Sequence, residues 1–164
     1  MTPSIIVYHG STQAVERPLC KIGRRNLDFG QGFYVTDIRR QAAQWAQRRA
    51  ENSNMPPVLN RYRLEREAFI GEGHALVFEA YDEKWFDFIV SSRRQQNPSV
   101  GYDYIEGGVA NDRVIDTINL YIQGLMPKDI ALTRLAEHQP NNQMCLLNQR
   151  LTDKYLAFDG TEEL

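Results

Sequence analysis

The chain has 164 residues, 42% hydrophobic and 24% charged, with a formal net charge of −2, which gives enough apolar material for one buried core and no case for a dedicated polyanion-binding surface. Cys20 and Cys145 stand far apart without CxxC or Cys/His ligand spacing, which argues against a zinc site and gives no disulfide framework, and the two read as ordinary thiols. The first ten residues have neither a basic start nor a long apolar run, and no apolar stretch is long enough to span a bilayer; the expectation is a cytoplasmic protein of one domain, residues 1–164.

Residues 4–8 (SIIVY) form a short β-prone run that ends in His9-Gly10-Ser11, a strand followed by a turn. The stretch "DFGQGFYVT", from Asp28 to Thr36, sets turn-prone residues ahead of a second strand over 32–36. Asp37 is the predicted cap of a helix over "DIRRQAAQWAQRRAE", whose stripe of Ile38, Ala42, Trp45, Ala46 and Arg49 recurs at three and four residues. A loop "NSNMPP" follows, then strands over 58–64 and 75–79. Residues 82–94 read as a helix with Trp85, Phe86, Phe88 and Ile89 inward.

Beyond them, "YDYIEGGVA" is a strand breaking at Gly107-Gly108, Asp112 caps a helix running to about Gln123, and Pro127 opens another toward Glu137. Residues 142–147 and 155–158 are the last predicted strands. Strands and helices mixed without a regular βαβ alternation define an α+β domain with no internal repeat. The first 94 residues are mildly basic and the remainder acidic, and 15 of the 19 basic residues are arginine; arginine suits phosphate, although solvated helix faces account for most such side chains.

A histidine at a strand end followed by glycine and a hydroxyl residue sits where peptide groups are free to meet a ligand. Tyr34 on a strand and Trp45 two turns into the next helix can place two rings on either side of a flat molecule, although such rings more often fill cores.

Taken together, His9-Gly10-Ser11, "GQGFYVTDIRRQAAQWA" and "NNQMCLLNQRLTDKYLAF" resemble the three signature segments of the ADP-ribosyltransferase superfamily. The similarity is to its His-Tyr-Glu branch, which includes diphtheria toxin and the poly-ADP-ribose polymerases. Within the superfamily the chain also resembles a bacterial family marked by D-F-G-x-G-F-Y-x-T and a later Gly-x-x-Ala-x-Asp, here "GGVAND". The resemblance covers residues 8–46 and 102–158.

That resemblance implies an α+β fold of split, mixed β-sheets flanked by helices, and NAD as a substrate with no metal. It implies that Gly10 pairs its backbone with the nicotinamide carboxamide, that His9 bonds the adenosine-side ribose, and that Tyr34 and Trp45 sandwich the nicotinamide. Arg24 or Arg25 is a candidate pyrophosphate partner. Two departures stand out. Ala42 replaces a serine common in the polymerases, which leaves Ser11 or Thr36 to supply a hydroxyl contact. Gln143 replaces the catalytic glutamate; its amide can position a ribose hydroxyl but cannot act as a base or place a negative charge beside an oxocarbenium. Asp112 is the first candidate for the missing acid, with a helix N-cap as its ordinary alternative, and Glu106 is the second.

The implied activity is mono-ADP-ribosyl transfer, since polymer elongation leans on the absent glutamate. The implied setting is a bacterial toxin-like enzyme with a protein or nucleic-acid acceptor and an antitoxin or other regulatory protein as partner. An NAD glycohydrolase and an inactive nucleotide- or partner-binding module are the alternatives.

Overall fold

The computed structural model describes residues 3–21, 28–138 and 141–164. Arg24 and Arg25, and with them the candidate pyrophosphate contact, lie outside the described residues.

Two sheets carry the fold. Strand β1 (Ile5–Ser11) pairs antiparallel with β3 (Val58–Leu64), which pairs antiparallel with β7 (Leu156–Glu163). The second sheet has the order β2-β6-β5-β4, from β2 (Phe33–Val35), β6 (Gln143–Leu146), β5 (Tyr104–Gly107) and β4 (Ala75–Val77). Its β4–β5 pair is parallel and the others antiparallel, so the sheet is mixed. Six helices flank the sheets among the described residues: α1 (Arg39–Ser53), α2 (Arg66–Glu72), α3 (Glu83–Arg93), α4 (Asp112–Ile122), α5 (Lys128–Leu135) and α6 (Gln149–Tyr155). This is the α+β arrangement of split mixed sheets with flanking helices that the sequence predicts.

Side-chain alternation along the strands sorts the core into two layers. Phe33, Val35, Met144, Leu146 and Tyr104 point from the second sheet toward Val7, Tyr62 and Leu64 of the first and fill the space between them. The opposite face presents Tyr34, Cys145 and Ile105 to a layer built on Trp85, Phe86 and Ile89 of α3, Val114 and Ile118 of α4, and Leu135 of α5. Trp85, Phe86 and Ile89 are fully buried, as their helical spacing predicts, and burial of each contributes roughly 1.5–3 kcal/mol. Both cysteines are free and buried. No helix among the described residues is long and apolar enough to cross a membrane.

Several local expectations are corrected. Asp37 does not cap α1: the Thr36 hydroxyl accepts the Ile38 amide at 3.1 Å, and the helix begins at Arg39. Asp112 is not the cap of α4 either. The Asn111 side chain accepts the Val114 amide at 3.1 Å, which places Asp112 inside the first turn. The last strand extends to Glu163 rather than ending at Phe158, because its whole length is templated by β3, with a bulge opposite Arg61 and Tyr62. Helices α2 and α6, seven residues each, have no counterpart in the predicted elements; two turns carry too little periodicity to register.

Candidate functional site

Strands β1 and β2 meet at one point, where Tyr8 and Thr36 exchange backbone hydrogen bonds of 2.8 and 2.9 Å. Since the peptide groups of an antiparallel strand face alternate sides, Gly10, two residues on, turns its N–H and C=O toward the same edge of β1 as Tyr8 does. Beyond that bridge no backbone hydrogen bond joins β1 to β2 among the described residues, so the Gly10 peptide, though buried, is not paired with β2 on the edge away from β3.

Helix α1 closes one wall. A Cβ on Gly10 would stand 2.1 Å from the Ala42 carbonyl oxygen, 2.6 Å from the Ala46 amide nitrogen and 3.1 Å from the Trp45 Cβ. The helix backbone therefore lies directly on the strand, which only glycine permits, and Trp45, half-buried, starts from beside Gly10. The helix is fixed from below as well. The Gln41 amide and the Thr36 hydroxyl both donate to the Asn142 carbonyl, at 2.8 and 2.7 Å.

His9 bridges the parting strands. Its Nδ1–H donates to the Tyr34 carbonyl at 2.7 Å, and its ring lies 4.3 Å from that of Phe33. That bond sets the tautomer and leaves Nε2 as an acceptor. Desolvation, opposed by the Tyr34 bond and reinforced by Arg49, lowers the imidazole pKa to about 4, so His9 is neutral at pH 7.

Tyr34 points to the other face of the second sheet. Its hydroxyl donates to the Gly30 carbonyl at 2.6 Å and accepts the Phe29 amide at 3.1 Å, closing the "DFGQG" turn back on its own ring. Gly30 has φ 95°, a conformation that explains glycine there. Burial holds the Tyr34 phenol well above its ordinary pKa, so it stays protonated. No ring contact joins Tyr34 to Trp45 among the described residues.

Gln143 opens β6 two residues before Cys145, the register partner of Tyr34, so Gln143 and Tyr34 share a face. It is 4% exposed, and its Nε2 donates to Asp28 Oδ2 at 3.2 Å. The same oxygen accepts the Ala110 amide at 3.1 Å, while the Asp28 carbonyl accepts the Ser92 hydroxyl at 2.9 Å. Burial raises the Asp28 pKa, against the lowering effect of the Ala110 and Gln143 bonds and of Arg93. Asp28 is the residue that sequence reasoning missed. It opens the glycine motif and was legible there as a turn former alone, because its partner lies 115 residues away.

The two acids proposed to replace a glutamate at position 143 stand elsewhere. Asp112 is exposed on α4, and the carboxylate that meets Gln143 is Asp28. Glu106 pairs in register with Met144, so it lies on the opposite face of the sheet from Gln143. Arg66 donates Nε to Glu106 Oε1 at 2.8 Å and Nη2 to Oε2 at 3.1 Å, and the Tyr104 hydroxyl donates to Oε1. The charge of Glu106 is thereby neutralised by a bidentate ion pair. This group borders an open cavity of about 430 Å³ whose lining includes Asp37, Phe78, Glu106 and Asn142 but none of His9, Gly10, Tyr34 or Gln143.

Ser11 ends β1 at 5% exposure, next to Gly10. The Thr36 hydroxyl is committed on both sides, donating to Asn142 and accepting from Ile38. No group of three or more metal-ligating side chains occurs among the described residues.

The structure thus brings His9, Gly10, Ser11 and Trp45 to one strand junction, where Tyr34 takes part through its carbonyl, while the Tyr34 ring and Gln143 share the other face of the second sheet. No curated protein and no solved structure matches this chain. One family model, described as "Protein of unknown function (DUF3990)", matches residues 5–158. Because that match takes in nearly the whole chain, the protein belongs to this family.

Proposed function

We propose that the protein is a mono-ADP-ribosyltransferase that takes NAD as its substrate and transfers ADP-ribose to a macromolecule, protein or nucleic acid. The observation that carries the reading is the junction of β1 and β2. His9 links the two strands through the Tyr34 carbonyl, and beyond that bridge the Gly10 peptide edge has no strand partner on the β2 side among the described residues and lies beside Trp45. A peptide edge with one donor and one acceptor not paired to a strand complements a carboxamide, and an aromatic ring beside it, Trp45, complements a pyridinium. The neutral Nε2 of His9 is an acceptor for a ribose hydroxyl.

Glycosidic cleavage builds positive charge on the ribose, and the site must orient the dinucleotide before stabilising that charge. Gln143 contributes orientation. In this reading the enzyme is bacterial and toxin-like, with an antitoxin or other regulatory protein as its partner.

The test is incubation of the purified protein with adenine-labelled NAD and cell extract, followed by separation of labelled protein, labelled nucleic acid and free ADP-ribose. Label should enter a macromolecule, and His9→Ala or Tyr34→Ala should abolish it. Label that persists in both variants refutes the site. Free ADP-ribose formed at one rate with and without extract assigns the activity to NAD hydrolysis instead. The neutrality of Gln143 favours one further reading, a module that binds nucleotide without turning it over; NAD binding by calorimetry with no product selects it.

A further inference from the structure

We propose that Asp28 is a catalytic carboxylate of this site, the group whose negative charge faces the NAD ribose, and that Gln143 is its positioning partner. The inference rests on the reading of the site as NAD-cleaving and identifies which residue does the chemistry that Gln143 cannot.

Three features of the structure converge on Asp28. First, the Gln143 amide donates to Asp28 Oδ2 at 3.2 Å, so a carboxylate lies one hydrogen bond from the catalytic-strand position. Second, the donors that hold it are neutral: Oδ2 takes the Ala110 and Gln143 bonds, and no salt bridge or hydrogen bond reaches Oδ1 among the described residues. Glu106, by contrast, is neutralised by Arg66 and lies across the sheet. A carboxylate held by neutral donors, with no ion pair among the described residues, is not already spent on a fixed partner when a cation forms transiently beside it. Third, Asp28 is tied to Tyr34 through the chain itself, since the amide of the next residue, Phe29, donates to the Tyr34 hydroxyl.

In the step assigned to this group, the ribose C1′–nitrogen bond of NAD breaks and its electron pair passes to the pyridinium nitrogen, which leaves as neutral nicotinamide. C1′ becomes electron-poor and is stabilised by the Asp28 carboxylate. A lone pair from an acceptor O–H or N–H forms the new bond to C1′, and the acceptor's proton passes to Asp28 and from there to water.

The experiment measures NAD affinity by calorimetry and nicotinamide release in a single turnover across pH, for wild type, Asp28→Asn and Asp28→Asn/Gln143→Glu. Asparagine keeps an acceptor for the Ala110 amide and removes only the charge. Release by Asp28→Asn should fall ~100-fold or more, with NAD affinity changed less than ~3-fold. The double variant, which moves the carboxylate to position 143, should recover at least ~10-fold over the single one.

The wild-type rate should decline as pH falls through the raised Asp28 pKa, a limb above the ordinary carboxylate range. The groups that surround Asp28 and shape that limb are Arg93 from α3, Tyr34 from β2, Cys145 from β6 and Tyr81. Wild type that releases nicotinamide while Asp28→Asn keeps its rate and pH profile overturns the role of Asp28 and leaves the NAD reading standing. Wild type that neither binds NAD nor releases nicotinamide overturns both, and binding without release overturns the catalytic role alone. If Asp28→Asn does not fold, a wild-type profile flat down to the ordinary carboxylate range is itself the refuting result.

Discussion

Gly10→Ala tests the helix-on-strand contact that shapes the site, and its sign separates two explanations for the glycine. In an unconstrained strand the change stabilises a protein by roughly 0.4–1 kcal/mol, because alanine has fewer unfolded conformations to lose. Here the new methyl carbon would stand 2.1 Å from the Ala42 carbonyl oxygen and 2.6 Å from the Ala46 nitrogen, both of them backbone atoms that no rotamer change can move. Relief demands that α1 lift by about 1 Å to reach van der Waals separation. Yet α1 is tied through Gln41 and its neighbour Thr36 to Asn142, and β1 is paired with β3 along its full length.

Overpacking of this kind costs about 1–3 kcal/mol, and with rigid neighbours on both sides the upper end applies. For a chain of this size about 3 kcal/mol corresponds to a drop in Tm of roughly 6–12 °C. Urea unfolding followed by circular dichroism, with the m-value held common, reads the difference directly. Unchanged or increased stability would falsify the contact and return Gly10 to a role in ligand approach alone.

The lowered His9 pKa makes an acid-side prediction: the unfolded state takes up a proton near the ordinary imidazole value of 6.5 and the folded state only near 4, so stability is lost as pH falls between those values. The loss is at most about 3 kcal/mol, and His9→Gln, which can still donate to the Tyr34 carbonyl, should flatten the urea midpoint over that interval. At the start of α4, Asn111→Ala should cost about 1 kcal/mol while Asp112→Ala stays within about 0.5; thermal melts that reverse the order would restore Asp112 as the cap. Arg66→Ala strands the buried Glu106 carboxylate and should destabilise by about 3 kcal/mol. Arg66→Ala combined with Glu106→Gln should recover part of that in a double-mutant cycle, and simple additivity would contradict the ion pair.

Read as letters alone, the chain specifies short-range structure. The α3 stripe of Trp85, Phe86 and Ile89 is buried where a helical period puts it, and the glycine-rich approach to Tyr34 is a turn before a strand. Each of these depends on residues within a few positions of one another, and periodicity records such neighbours. The tertiary structure alone decided which long-range partners meet. Whether Glu106 or Asp28 stands near Gln143 is a matter of strand parity and of a contact spanning 115 residues. Gly10 reads in the sequence as a residue of ligand approach, and the helix backbone lying on it adds a packing reason that the letters do not show. Asn111 and Asp112 are equally good caps as letters, and the extended backbone of Asn111 makes the choice. A sequence states which side chains can carry charge, but whether a carboxylate is spent on an arginine, as at Glu106, or held by neutral donors, as at Asp28, is settled by what the fold packs beside it.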